Sequence, residues 1–189
     1  MNRHLLALVT TAALAGCVNI ASVPDQWGAV ARGDATACPL LAGAYANKGE
    51  NADSGKSVFL AQFLARPGQA DHFVYATPEI RLSLENEAVL VAYAIRSGKE
   101  IEMARLRRDA GDFACANGEL TLKARKQAGG LVVAAIVNSG TAVLAIEPGF
   151  LRIRQSDTGA MFIPVPPFVI PGATIIHARF ARIADGSAR

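Results

Sequence analysis

The residue best placed for chemistry is Cys17. It closes Leu14-Ala15-Gly16-Cys17, the small-residue pattern of a lipobox, behind Arg3 and an uncharged apolar run from Leu5 to Ala15. That run is too short to span a bilayer, which takes about 20 apolar residues. A positive start, a short apolar core and small residues before a cut are the parts of a secretory signal. The expected chemistry is export across a bacterial inner membrane, acyl transfer to the Cys17 sulfur, and cleavage that leaves Cys17 first. One acyl chain would hold a protein only marginally, whereas several anchor it effectively permanently.

Once Cys17 is acylated, two cysteines remain, Cys38 and Cys115. An even pair in an oxidising compartment points to a disulfide, with two separately buried thiols as the alternative. Closing so long a loop would restrict the unfolded chain by roughly 4 to 5 kcal/mol on the chain-entropy model, against about 2 to 4 typically measured. A metal site is not expected, because only His72 and His177 survive in the mature chain and neither stands at ligand spacing from a cysteine. No cofactor is implied.

Other chemistry-bearing patterns have plainer readings. Ser54-Gly55-Lys56-Ser57 resembles the end of a phosphate-binding loop, but the glycine that loop requires would fall on Glu50. A solvated loop accounts for it better, in a compartment without ATP. Catalysis by a serine would need a histidine beside it, and no serine stands in Gly-x-Ser-x-Gly; His72 with Asp71, or His177 with a serine, would have to meet in space. Glu85 with Glu87, or Glu100 with Glu102, could pair as acid and base, although charged outer strand faces produce such spacings routinely. Arg81, Arg105, Arg107, Arg108, Lys123, Arg125, Arg152 and Arg154 could meet an anionic envelope polymer, or form a solvated face with interspersed acids. The expectation is therefore no enzyme.

The elements that must carry these residues are mostly strands. Glu79–Glu85 alternates, with Ile80, Leu82 and Leu84 on one side, and Asn86-Glu87 offers a turn. Ala88–Arg96 reads as a central strand, followed by a turn at Ser97-Gly98 and a charged strand from Lys99 to about Leu106. Another strand carries Leu120, Leu122 and Ala124 inward and ends at Gly129-Gly130. Two apolar strands flank a turn at Asn138-Ser139-Gly140, and Phe150–Gln155 pairs with Met161–Val165 around Ser156-Asp157-Thr158-Gly159. The last strand runs from Ala173 to Ile183, and Ser57–Ala65 reads as one short helix. Such spacing predicts a mostly β fold, an antiparallel sandwich or small barrel with one short helix. Ile163-Pro164-Val165-Pro166-Pro167-Phe168-Val169-Ile170-Pro171 is too rich in proline for an interior strand and fits edge geometry. Phe168 and Ile170 there either pack on the core or offer an apolar edge to a partner or membrane.

Cys38-Pro39-Leu40-Leu41-Ala42-Gly43-Ala44-Tyr45-Ala46-Asn47-Lys48-Gly49 resembles a block, Cys-Pro-x-Leu-x-Gly-x-Tyr-x-Asn-x-Gly, in small proteobacterial outer-membrane lipoproteins of uncharacterised function. Asp112–Leu122 is similar to their second block, an aromatic and a cysteine before a turn glycine and an alternating strand. The likeness implies no activity. It implies that the two blocks bring Cys38 and Cys115 together. Among bacterial lipoproteins, which the start resembles, Asp after the lipidated cysteine favours retention at the inner membrane; Val18 stands here and implies the outer membrane, where the periplasmic face is expected over the cell surface. Gly43-x-Tyr45 is also similar to the start of lipocalin-type barrels, which would imply a carrier or sensor of a small apolar ligand.

These readings divide the chain into a signal peptide over 1–16, the lipidated cysteine and a tether over 17–37 with a helical turn around Gln26 to Arg32, and one β-rich domain over 38–189. Loss of Arg3 with the signal lowers the formal charge from +3 to +2, too little for the concentrated basic footprint of a nucleic-acid binder. The expected partners are the membrane, through Cys17, and an envelope protein or anionic envelope polymer.

Overall fold

The structure, a computed structural model, describes residues 17–20, 22–52, 56–65, 77–131, 134–164 and 167–184, with side chains described outside 17–20, 124–138 and 161–170. The fold is mostly β and antiparallel, with one short helix among the described residues. The strands are β1 Cys17–Ile20, β2 Gly43–Ala46, β3 Lys48–Asn51, β4 Ser57–Phe59, β5 Glu79–Glu85 and β6 Val89–Arg96. They continue as β7 Lys99–Arg107, β8 Phe113–Ala116, β9 Glu119–Leu131, β10 Ala134–Glu147, β11 Phe150–Pro164 and β12 Pro167–Ile183. The helix α1 is Leu60–Leu64.

One sheet runs in the order β7-β6-β5-β2-β12-β11-β10-β9-β8. Its outermost strands, β7 and β8, are consecutive in the chain, and Asp112 holds their junction: its N–H donates to the Arg107 carbonyl (3.0 Å) and its carboxylate accepts from the Arg107 N–H (2.9 Å). No ladder joins β7 to β8 among the described residues, so the sheet folds over on itself without closing. The long strand β12 carries the fold-over. One of its edges pairs throughout with β11, while the other is shared by β1, β3 and β2.

Short turns set the register. Asn86-Glu87, Ser97-Gly98 and Asn117-Gly118 all hold positive φ at both positions, the backbone that a tight hairpin between right-twisted strands demands. Alternation then sends Ile80 and Leu82, Leu90, Ala92 and Ala94, Leu120 and Leu122, Leu144, Leu151, Ile153, Ala178 and Phe180 into one buried cluster. A bulge opposite Ala92 brings both Met103 and Ala104 of β7 into it. Helix α1 closes one side, with Phe63 edge-on to Phe180 at 6.0 Å.

Several expected boundaries fall elsewhere. The helix read over Ser57–Ala65 is confined to α1, because Ser57–Phe59 pairs with β3. Strand β9 ends at Leu131, beside the Gly129-Gly130 expected to stop it, but the turns expected at Asn138-Ser139-Gly140 and Ser156–Gly159 are not turns; β10 and β11 run straight through them. Their polar residues lie side by side across the strands. Asn138 stands between Gln127 and Gly159, Ser139 between Lys126 and Thr158, and Gly140 between Arg125 and Asp157. Turn-like composition in separate segments is thus one polar belt. Thr158 Oγ1 donates to the Ser139 carbonyl (3.4 Å), and Gln155 Nε2 donates to Asp157 Oδ2 (2.6 Å). A Cβ at Gly140 would meet the Asp157 carboxylate, which would have to turn away to admit it.

The last strand begins at Pro167 rather than Ala173. Pro167–Pro171 pairs with β11 alone among the described residues, which is the edge geometry its prolines require.

Candidate functional site

Residues 22–37 lie against the domain. The Ala31 N–H donates to the Ile146 carbonyl (2.8 Å), the Gly33 N–H to the Asn117 carbonyl (3.1 Å) and the Gly118 N–H to the Ala37 carbonyl (3.3 Å). Those bonds replace the bonds a helix would make to its own chain. The helical turn expected around Gln26 to Arg32 is absent, and a turn closes instead at Pro24–Trp27, N–H to carbonyl 2.9 Å.

The turn buries Trp27 on the outer face of the sheet. Arg152 of β11 and Arg179 of β12 lie on the Trp27 ring, at 5.6 and 4.9 Å from its centroid, and Arg179 also covers Phe150 at 4.6 Å. Beneath them Glu147, 1% exposed, is ion-paired to Arg152 and stands 4.0 Å from Arg179, whose Nε donates to Glu50 (2.8 Å). A buried carboxylate needs such cationic company. Arg152, expected to meet an anionic polymer or to stand on a solvated face, is on the outer face but beneath the chain that crosses it. Trp27, Glu147 and Arg179 were not singled out. Their only signal is a lone tryptophan in a segment otherwise read as tether.

Beside this cluster opens a cleft of about 510 Å³, bounded by Trp27, Lys48, Glu50, Lys56, Phe150 and Arg179. A smaller one of about 200 Å³ is lined by Val23, Val30, Glu119, Val143, Ala145, Arg152, Arg154 and His177. Burial, and then the charges of Arg154 and Arg152, hold the His177 imidazole below its usual range. Its Nδ1 has no hydrogen-bond partner among the described residues, and no hydroxyl or thiol lines this cleft.

The other predicted residues separate. Cys38 and Cys115 are bonded, Cα to Cα 4.8 Å, which fastens the segment entering the domain to β8. Cys17 stands opposite Gly172 in β1, parallel to β12. Phe168 and Ile170 stand opposite Ile163 and Met161. His72, Asp71, Ser54 and Gly55 lie outside the described residues, while Ser57 is strand, opposite Glu50. Glu85 and Glu102 share Arg105, and Glu100 pairs with Arg81, so these acids form a solvated, charge-matched face with the cations. Glu87 sits in a turn, apart from Glu85.

The segment Cys38–Gly49 is structural. Leu41 and Tyr45 are fully buried, and the Tyr45 hydroxyl donates to the Leu41 carbonyl (3.0 Å); burial raises its pKa, partly offset by Arg182. Asn47, where the chain breaks between β2 and β3, donates to the Thr77 carbonyl (2.8 Å) and accepts from the Ala61 N–H (3.0 Å) at the start of α1. Gly49 passes so close to β12 that a Cβ would lie 2.5 Å from the Arg179 carbonyl and the Phe180 ring.

Comparison with models of protein families, with curated proteins and with solved structures gives no match to this chain.

Proposed function

We propose that this chain is a lipid-anchored protein of the bacterial envelope, held to the outer membrane through Cys17, whose β domain is a non-catalytic module for interaction or envelope maintenance. The observation that carries the proposal is the lipobox ending at Cys17, continued by β1 on the edge of β12 and by residues 22–37 bonded to the sheet. A lipid there holds the domain close to the bilayer rather than at the end of a free tether. Two features of the described residues support this reading: one cluster of buried side chains lies within the folded sheet, and both clefts described above are bounded by charged side chains. Lys48 and Lys56 at the larger cleft support an anionic envelope polymer as partner.

Cells fed labelled fatty acid test the anchor. The wild-type chain takes up label and the Cys17→Ala chain takes up none; equal labelling of both overturns the proposal.

A further inference from the structure

Beyond the polar belt, strands β9 to β12 continue as two adjoining hairpin ends: residues 128–131 and 134–137 in β9 and β10, and 160–164 and 167–171 in β11 and β12. They comprise Ala-Gly-Gly-Leu, Ala-Ala-Ile-Val, Ala-Met-Phe-Ile-Pro and Pro-Phe-Val-Ile-Pro, with no polar side chain among them. A sheet with one wet face alternates polar and apolar residues, as Glu79–Glu85 does here; these stretches do not alternate, so neither face of the tip has the composition of a wet surface.

We infer that this tip inserts into the phospholipid leaflet that would hold the lipid on Cys17. The inference rests on the proposed anchor. The register aligns the two: Cys17 is opposite Gly172, Gly172 opposite Gly159, Gly159 opposite Asn138 and Asn138 opposite Gln127. Cys17 therefore stands level with the outer rim of the polar belt, where the uncharged tip begins, and the parallel pairing points its N-terminal side toward the tip. Acyl chains on Cys17 would enter the membrane at the height at which the protein becomes wholly apolar. On the opposite side of that boundary the belt carries Arg125 and Lys126 against the acid Asp157, a balance suited to anionic headgroups.

At about 3.3 Å per residue, four or five residues give the tip a height of about 13 to 17 Å, against about 15 Å for the hydrocarbon of one leaflet. Its edges limit the depth. Open strand edges are not tolerated in hydrocarbon, and among the described residues β9 and β12 are both edges at the tip, although Pro167 and Pro171 remove donors from one. The tip therefore enters the boundary between headgroups and acyl chains, about 5 to 10 Å deep, as interfacial elements do. A second copy of the chain could cover one face of the tip, whereas lipid covers both.

The full-length protein, purified and mixed with vesicles containing phosphatidylglycerol, provides the test. The chain has one tryptophan, so Trp27→Phe with Phe168→Trp places a single reporter in the tip, and Trp27→Phe with Ile101→Trp places a control on exposed β7. Bromine-labelled acyl chains should quench the tip reporter and leave the control unchanged, and vesicles should shield the tip reporter from iodide. A tip reporter as open to iodide with vesicles as without them overturns the inference, as does shielding by self-association without vesicles. Circular dichroism identifies a variant that fails to fold; Ile170→Trp then replaces it. The mass of the Cys17 peptide from the same preparation reports the anchor separately, so an unlipidated protein with a quenched tip refutes the anchor alone, and a lipidated protein with a wet tip refutes the insertion alone.

Discussion

Asn47 shows how a residue that resembles a functional polar group can be wholly structural. Its side chain satisfies two buried backbone groups on segments that no strand ladder joins, Thr77 ahead of β5 and Ala61 in α1. Asn47→Ala should cost roughly 2 to 6 kcal/mol, from about 1 to 3 for each of the two buried groups left unpaired. Urea denaturation followed by circular dichroism measures it, and a loss within about 0.5 kcal/mol would contradict the role. His177 gives a prediction with a pH sign. Its pKa is lowered in the fold, so as pH falls the unfolded chain takes up a proton that the native state resists. The stability it contributes is complete above about pH 6.5, its unfolded value, and is lost below that as pH falls through its lowered native value. His177→Gln should flatten the acid side of the urea-midpoint profile; profiles that stay parallel to the wild type would contradict it.

The elements were legible where a single physical signal decided them. Period-two patterning around Ile80, Leu82 and Leu84 defined β5, and Ser97-Gly98 and Asn86-Glu87 formed the turns their residues suggested. The long hairpins were not legible, because Asn138-Ser139-Gly140 and Ser156–Gly159 have the composition of turns and only their cross-strand register reveals a belt. Likewise, nothing local told that the segment around Trp27 would cross a sheet and cover Glu147, since the contacts span more than a hundred residues of chain. The Cys38–Cys115 bond fastens that entry to β8. A peptide joining the two should appear by mass spectrometry without reductant, and Cys115→Ala should lower stability by about 2 to 4 kcal/mol. Free alkylation of both thiols in the native protein would exclude the bond.

At the scale of the whole molecule, a sheet folded over one core presents two ends of different character. One carries the charge-matched face of β5 to β7, and the other narrows through a polar belt to an uncharged tip beside β1. The proposed anchor makes sense of that asymmetry, since a lipid on Cys17 orients the apolar end toward the bilayer and the charged end away from it. The most direct measurement is the mass of the first tryptic peptide of the mature protein, which ends at Arg32. The proposal predicts that it begins at Cys17 and carries acyl chains; a peptide that begins elsewhere, or a Cys17 with no acyl mass, would contradict it.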